Sequence, residues 1–502
     1  MEKSELKSGV ILSYINIFLG NLIPIFYTPV MLRILGADEY GLYKLASGLT
    51  SYMSLITLGV GSAITRYLIK ARIENNKNEE EKMLGLFLRI FKFFALVTLV
   101  IGLLLTFNLQ IWYDSSFNDV QLLKMKFLVF LMVINMGINV LLTPYISVVN
   151  AHEKFIFMQS MNILSTCILP LLNLILLYFG WKSIGLVIGS LCISVVVNLC
   201  NYIYVRKFLN IIPIYEKTPC NLVKEIFSFS FWIFLSNVVN QLYNATDTLM
   251  IGADPQLSAK GVAVYNIGIV FVGIAGTLSS GIVNVLAPKT NKMVFSESSE
   301  EEITDFSIFI GRIQAYILTL IATGFIAFGR PFISFYAGSE FYDSFWIAIF
   351  VMIPNIIPAL QGVHLNVLIA KNKHKFRSLV YLGIAVLNVI GTWVALKYMG
   401  TIGAALVSGI ALLLGPGLIM NLYYWKNIEL NIPKFWKEIG KVFVIPCAMC
   451  CITIWLGQYC NFYDLKILIM SIVIYTFVFV VLNYLFVMND KEKRIVHNIL
   501  KL

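Results

Sequence analysis

The stretch ILIMSIVIYTFVFVVLNYLFVM, residues 467–488, decides the fold class because it runs for 22 residues without a charged side chain. A helix that crosses the hydrocarbon core of a membrane needs about 20 mainly apolar residues. Similar runs recur along the 502-residue chain, which is 59% hydrophobic and only 13% charged. Soluble proteins carry roughly 25% charged residues. The sequence therefore predicts an all-α, polytopic membrane protein.

Apolar runs separated by short polar breaks predict fourteen membrane spans. The runs are continuous, whereas the strands of a membrane barrel alternate apolar and polar residues over about ten positions. The predicted spans are residues 9–32, 41–64, 84–106, 125–149, 156–178, 184–205, 227–251, 261–286, 308–328, 345–369, 378–397, 401–425, 439–458 and 465–488.

The basic residues predict how these spans are oriented, because cytoplasmic loops of membrane proteins are enriched in Lys and Arg. With the N-terminus placed inside, the inward segments contain 27 of the 38 Lys and Arg residues and the outward segments contain nine. Arg89 and Lys92, within the third span, complete the set. We therefore expect both termini in the cytoplasm.

An internal repeat divides the chain. IFLGN at 17–21 matches IFLSN at 233–237, and the same shift of 216 residues aligns GAD at 36–38 with GAD at 252–254. Six spans, an even number, separate the copies, so both halves have the same orientation. Transporters build such parallel repeats around a central site. We expect a six-helix lobe at 1–210, a second at 211–430, and two additional spans with a cytosolic tail at 431–502.

Two acidic blocks in matching positions indicate helix starts. Asn78 precedes three glutamates, and so does Ser299. Both residue types cap helix N-termini, and acidic side chains complement the positive end of the helix dipole. We expect Asn78 and Ser299 to cap the third and ninth spans.

Several functions lack their residues in this chain. No phosphate-binding loop, zinc-protease motif or nucleophile elbow occurs. The net charge of +11 is not arranged as a basic stripe with aromatics, so nucleic acid is not expected as a partner. Cys447 and Cys450 have metal-ligand spacing but no second ligand pair. We expect no catalytic residues, no metal site and no enzyme activity.

Polar residues cluster in the seventh span. Asn237, Asn240, Asn244 and Asp247 recur at spacings of three and four, which places them on one helical face. The stripe predicts either the wall of a water-filled cavity or a set of interhelical hydrogen bonds. Asp247 is the acid set deepest in a span, so it is a candidate for binding a coupling ion, or alternatively for capping near the interface.

The first span and the inner ends of the second and eighth carry the other candidates. Pro24 and Pro29 free backbone carbonyls and predict either a hinge or a static kink. Arg66 and Lys289 occupy related positions in the two halves, where they either obey the topology rule or receive an anionic head group. His364 is expected to be a hydrogen-bonded buried side chain or, alternatively, a proton carrier.

The run LGADEYGLY at 35–43, followed by GVG at 59–61 and Arg66, resembles the polysaccharide-transporter branch of the MATE-like superfamily. These are flippases for O-antigen and other lipid-linked oligosaccharides. The resemblance implies two lobes around a cavity lined by helices one, two, seven and eight, in a bacterial plasma membrane. It also implies a polyprenyl-diphosphate-linked glycan as substrate and an Na⁺ or H⁺ gradient as driving force. A polysaccharide polymerase and glycosyltransferases are the expected partners.

The candidate residues fit the roles that such a transporter needs. Asp247 would couple the ion, no other cofactor is implied, and Pro24 and Pro29 would form the hinge. Arg33 and Lys44, whose alternative is ion pairing with Glu39 at the interface, join the substrate-binding set. That set is Arg33, Lys44, Arg66, Lys289, Asn237, Asn240 and Asn244.

Two alternatives stay open. A multidrug exporter of the same superfamily would need acids in its cavity, where Asp247 is the one deep candidate. A membrane-embedded glycan polymerase or acyltransferase is disfavoured by the short outer loops and by the duplication.

Overall fold

The computed structural model describes residues 2–73, 77–216, 220–296, 298–371 and 373–500, apart from a few side chains within them, including Ser236 and Asn244. Across these ranges every regular element is a helix and no strand occurs, so the predicted all-α class is confirmed. The chain separates into two compact units, Met1–Ala263 and Val264–Leu502. The boundaries expected near residues 210 and 430 stay predictions.

The described residues of unit 1 form nine α-helices. They are α1 Glu2–Leu35, α2 Ala37–Ser51, α3 Val60–Ile73, α4 Lys77–Phe107, α5 Gln110–Tyr113, α6 Asp119–Ala151, α7 Phe155–Tyr178, α8 Lys182–Ile203 and α9 Cys220–Ala253. A 3₁₀ segment, Tyr52–Thr57, connects α2 to α3, and a π-helical turn, Tyr204–Phe208, follows α8.

Unit 2 begins within α10, Ser258–Phe295, whose first six residues still belong to unit 1. The remaining helices are α11 Glu300–Tyr336, α12 Asp343–Leu360, α13 Gly362–Ala370, α14 His374–Leu412, α15 Met420–Asn427, α16 Ile432–Leu456, α17 Leu465–Phe486 and α18 Asp490–Leu500. A 3₁₀ turn, Ser339–Phe341, precedes α12, and a π-helical segment, Leu413–Ile419, follows α14.

Twelve helical segments in the described parts of the chain are long and apolar enough to cross a membrane. The sequence predicts fourteen, and the difference arises at two places. One segment, Lys375–Asn427, covers two predicted spans as a 53-residue run. Gly400 lies in its middle with φ 57° and ψ −142°, outside helical geometry. Glycine adopts positive φ without steric penalty. The count of fourteen stays a prediction.

The second predicted span is the other place where the structure differs. The sequence predicts one helix over 41–64, but α2 ends at Ser51, the 3₁₀ segment follows, and α3 begins at Val60. Leu58 and Gly59 both have positive φ, of 49° and 71°. The helix is interrupted at these two residues, because consecutive residues in the left-handed conformation cannot continue a right-handed helix.

Large apolar side chains from α3, α4 and α6 form the core of unit 1, including the fully buried Ile64, Phe87 and Val148. A close approach of α2 to the start of α10 requires a glycine. A Cβ atom on Gly41 would lie 1.8 Å from the carbonyl oxygen of Ala259. No larger residue fits this contact.

In unit 2, α16 and α17 pack on α11. Phe328 of α11, Met449 of α16 and Tyr475 of α17 belong to one buried cluster. The opposite face of α17 is apolar yet exposed, with Val473 at 61% and Phe477 at 69%. An all-round apolar helix with one uncovered face is typical of a membrane span. The chain is a multi-pass membrane protein.

The two acidic blocks behave differently from each other. The Ser299 hydroxyl accepts a hydrogen bond of 3.2 Å from the Glu302 amide, so the predicted cap of α11 is confirmed. Helix α4 already begins at Lys77, which places Asn78 within its first turn. The predicted Asn78 cap is therefore wrong.

Candidate functional site

The break in the second predicted span faces the polar stretch of α9 within unit 1. The Gln241 amide donates to the Ser51 hydroxyl at 2.5 Å. The hydroxyl groups of Tyr52 and Thr246 are also 2.5 Å apart, and Tyr52 donates to the Gln241 carbonyl at 3.3 Å. The end of α2 and the 3₁₀ segment are thus hydrogen-bonded to α9.

Asp247 lies one residue beyond Thr246 in this polar seam. Its side chain is only 2% exposed, and its carboxylate is close enough to the Tyr52 hydroxyl to interact with it electrostatically. Isolated buried carboxylates are unfavourable, so a group this deep is held by partners or by a bound cation. Its neighbour Thr248 is also buried. The buried position agrees with an ion-coupling role, which stays a prediction.

The structure describes the side chains of two of the three asparagines in the predicted stripe. Asn237 and Asn240 are exposed, while the Asn244 side chain lies outside the described part of the structure. Two exposed amides are compatible with a water-filled wall. The role predicted for the three asparagines stays untested.

A small cavity of about 260 Å³ adjoins the seam inside unit 1. It is lined by α2, α6 and α8, with Ser51 and Asn139 among its polar residues. The Asn139 side-chain oxygen accepts hydrogen bonds from Ser194 at 2.7 Å and from Asn198 at 2.6 Å. This amide network rigidifies the packing of α6 against α8. The described residues contain no cluster of three or more His, Cys, Asp or Glu side chains that could hold a metal ion.

Glu39, in the first turn of α2, forms an ion pair with Lys124. Lys124 donates to its carboxylate at 2.5 Å and Ser183 at 2.6 Å. Burial alone would raise the pKa of this carboxyl, but the hydrogen bonds from Lys124 and Ser183 outweigh it and lower the pKa. Of the two predicted substrate cations nearby, Lys44 lies 5.5 Å from the Tyr40 ring centroid, and Arg33 is exposed in the last turn of α1.

Helix α1 passes through Pro24 and Pro29 without interruption. Each proline removes an amide donor within the helix, so this is where α1 has fewer backbone hydrogen bonds than a regular helix. The hinge predicted at these two residues stays a prediction.

Of the other two predicted cations, Arg66 is exposed on α3 of unit 1. Lys289 is exposed on α10 of unit 2, with its ammonium 4.7 Å from the Phe306 ring centroid. Arg89, another basic residue of the third span, is engaged locally because its guanidinium donates to the Glu216 carbonyl and lies 5.7 Å from the Tyr215 ring.

Arg312 is unavailable to a substrate. Its Nε atom is 2.6 Å from Glu492 Oε1, and the two side chains are only 5% and 3% exposed. The same guanidinium donates to the hydroxyl of Tyr316 at 3.0 Å and to the carbonyl of Val487 at 2.8 Å. These bonds tie the segment after α17 to α11.

His364 differs from the expected hydrogen-bonded histidine. Its ring is 1% exposed and packs 4.6 Å from the Phe435 ring centroid. Neither ring nitrogen has a hydrogen-bond partner among the described residues. The nearby Gln361 amide donates instead to Asn421 at 2.9 Å.

Residues 6–294 match the family model described as "Polysaccharide biosynthesis protein". The chain belongs to this family. The match covers more than half of the sequence and confirms the predicted resemblance to the polysaccharide-transporter branch of the superfamily.

Two relatives match most of this chain. The "Uncharacterized membrane protein EpsK" of Bacillus subtilis is 21% identical, over 80% of this chain and 79% of EpsK. A "Putative O-antigen transporter" of Shigella flexneri is 22% identical, over 78% of this chain and 91% of its own.

Two solved structures share the fold. The lipid II flippase MurJ, in an inward closed conformation, aligns with a TM-score of 0.67 at 16% identity, covering 94% of this chain and 98% of MurJ. An inward-facing multidrug resistance MATE transporter also gives 0.67, at 12% identity, covering 86% and 99%. The predicted MATE-like architecture is confirmed.

The polar seam of this family member was not predicted from its sequence. Ser51 and Tyr52 belong to a stretch whose hydropathy predicts a continuous helix. A signal was available in Gly59, because a glycine followed closely by another weakens a helix. For Glu39 the sequence offers ion pairing with Arg33 and Lys44 as one alternative. The residues that donate to its carboxylate, Lys124 and Ser183, are remote in the sequence and no local pattern indicates them.

Proposed function

We propose that this protein is a flippase that carries a polyprenyl-diphosphate-linked oligosaccharide from the cytoplasmic to the outer leaflet of a bacterial plasma membrane. The family match, the similarity to a putative O-antigen transporter and the fold shared with a lipid II flippase support the proposal. A multidrug transporter has the same fold, so the fold alone does not select the substrate.

The accessibility of the charges carries the proposal. Arg33, Arg66 and Lys289 are exposed, whereas Asp247 is 2% exposed. A diphosphate requires cations that it can reach, and charge-assisted hydrogen bonds to phosphate are among the strong ones. A cation exporter would instead require accessible acids. The arrangement therefore favours an anionic substrate over the multidrug alternative.

Asp247 is proposed to couple flipping to an Na⁺ or H⁺ gradient. A carboxylate buried beside the hydroxyls of Tyr52 and Thr246 is a favourable place for a proton or a small cation. Because α9 is hydrogen-bonded to the broken second span, a change in the occupancy of Asp247 would alter the packing of both elements.

In this proposal both termini lie in the cytoplasm. Glycosyltransferases supply the lipid-linked glycan on the inner side, and a polysaccharide polymerase uses it on the outer side. The protein acts on no covalent bond and needs no cofactor other than its coupling ion. Reporter fusions after Lys260 and after Arg330 should both indicate the outside, and a cytoplasmic signal at either position would contradict this topology.

The decisive experiment is transport in proteoliposomes that contain a fluorescent polyprenyl-diphosphate glycan. In the double variant Arg66→Ala/Lys289→Ala the flipping rate should fall by a factor of at least about ten. This factor corresponds to the loss of one charge-assisted hydrogen bond. Arg66→Lys retains the charge, so this variant should keep part of the flipping rate. Lys397→Ala, a cation outside the proposed substrate set, is the matched control.

Two further outcomes would separate the alternatives. Transport of a cationic dye with no movement of the glycan lipid would favour the multidrug exporter. A change in the mass of the glycan lipid would indicate a polymerase or acyltransferase. For coupling, Asp247→Asn keeps the size of the side chain and removes its charge. An unchanged dependence of flipping on the ion gradient in that variant would exclude Asp247.

A further inference from the structure

A second, larger cavity opens at one end of unit 2, where α11 and α12 meet the turn between α16 and α17. Its volume is about 820 Å³. Arg330, Phe345 and Trp346 line one side, and the turn residues 457–463 line the other. None of these residues belongs to the proposed substrate-binding set.

Arg330 is positioned in this cavity by aromatic rings. Its guanidinium carbon lies 5.2 Å from the ring centroids of both Phe345 and Trp346, a distance at which cation–π attraction is effective. Among the described residues no carboxylate lies within ion-pair distance of Arg330. The nearby Asp464 carboxylate instead caps α17, accepting hydrogen bonds from the amides of Lys466 and Ile467. The Arg330 charge is therefore available to an anion.

An apolar groove continues from the cavity. It has a volume of about 340 Å³, is lined by α11, α16 and α17, and shares Cys460 and Phe462 with the cavity. Along α17 the lining extends from Ser471 to Leu482, which corresponds to about 16 Å at 1.5 Å per residue. The apolar half-thickness of a bilayer is about 15 Å. Counted from Leu465, which begins α17 beside the cavity, the lining reaches Leu482 at a depth of about 25 Å. One acyl chain therefore fits within the groove.

The side chains around the cavity indicate the level of the lipid head groups. Trp346, Tyr459 and Tyr463 are exposed by 39%, 73% and 52%. Tryptophan and tyrosine are enriched where a membrane protein crosses the boundary between hydrocarbon and water. A cation at this level attracts an anionic head group, while the groove beside it excludes water.

We infer that the cavity and groove together bind an anionic phospholipid of the adjoining leaflet, with its phosphate on Arg330 and one acyl chain between α16 and α17. The Arg330 charge favours an anionic head group, and phospholipids are the anionic lipids of the surrounding leaflet. A polyprenyl lipid is the alternative occupant that the test separates. This inference does not depend on the proposed flippase function.

Lipid binding to the purified full-length protein tests the inference, with native mass spectrometry as the readout. Wild type should retain phosphatidylglycerol at least about tenfold more tightly than phosphatidylcholine, and Arg330→Gln should lose that preference. Lys397→Gln is the matched control, because Lys397 lies 4.0 Å from the Trp393 ring in unit 2 but does not line the cavity. Arg330→Lys should keep the preference and controls for folding of the glutamine variant.

Three outcomes would overturn the inference. Equal retention of phosphatidylglycerol by wild type and Arg330→Gln would exclude Arg330 as the anchor. Displacement of phosphatidylglycerol by an equimolar polyprenyl phosphate would reassign the site to the substrate lipid. Glycerophosphate, which has the head group without a chain, should compete far more weakly than phosphatidylglycerol, and equal competition would exclude the groove.

Discussion

Breaking the buried ion pair between Arg312 and Glu492 should destabilise unit 2 more than removing any surface ion pair. The pair is 2.6 Å long, and both side chains are at least 95% covered. Arg312→Met leaves the Glu492 carboxylate buried without its cation. Removing one partner of a buried pair costs about 3–5 kcal/mol, because the remaining charge has neither its counterion nor water.

The structure also predicts how a double variant behaves. Arg312→Met/Glu492→Leu removes both charges, and replacing a buried pair by apolar side chains is often close to neutral. The carbonyl groups of Glu438 and Val487 would still lose the donors that Arg312 provides at 3.2 Å and 2.8 Å. We therefore expect the double variant to recover most, but not all, of the loss.

The assay is equilibrium unfolding of the purified protein in mixed micelles, with limited proteolysis of α18 as a second readout. Lys434→Ala is the matched control: its ammonium is 2.7 Å from Asp305, but the two side chains are 39% and 58% exposed. Exposed pairs contribute little. The reasoning is refuted if Arg312→Met loses no more stability than Lys434→Ala, or if the double variant is as unstable as the worse single one.

Three further predictions concern single side chains. Gly41→Ala should prevent accumulation of folded protein in membranes, because its Cβ would overlap the Ala259 carbonyl, whereas Gly20→Ala, with nothing within 4 Å, should fold normally; immunoblotting of membranes compares them. Glu39→Gln should flatten the acid side of the stability profile. The pKa of Glu39 is lowered in the folded state, so its stabilisation is present above its unfolded value of about 4.5 and is lost as the pH falls through the folded value; thermal unfolding between pH 3 and 6 measures this. His364→Leu should raise the unfolding free energy by about 1 kcal/mol, because it removes two buried nitrogens without partners, and a decrease would show that the imidazole is satisfied.

The parts of the fold that depend on local composition could be predicted from the sequence. Long apolar runs gave helices such as α17, and the hydroxyl of Ser299 caps α11 as its position before three glutamates indicated. The break before Val60 could not be predicted in the same way. Hydropathy measures burial in lipid, and Tyr52–Thr57 is apolar enough to continue a helix, whereas the positive φ of Leu58 and Gly59 is a backbone property.

The candidate site was harder to predict than the fold, because its contacts join residues that are remote in the chain. Periodicity placed Asp247 on the same face as the asparagines, but it could not show that the break at Ser51 and Tyr52 lies against α9, about 190 residues later. The pairing of Arg312 with Glu492 spans 180 residues. Neither residue type nor spacing indicates such partners, so the contacts had to come from the structure.

These partners divide the basic residues into two groups with different functions. Arg312 already has a buried carboxylate as its partner, so it gains little from a second anion. Exchanging one charged partner for another does not recover the free energy that was needed to remove the charges from water. An exposed cation such as Lys289 retains its capacity to bind a phosphate. Arg330 combines a charge unmatched by any described carboxylate with an aromatic setting that fixes its position. The positive-inside count treats all three alike, so it orients the chain without locating a binding site, and burial and pairing must decide which cations serve a ligand.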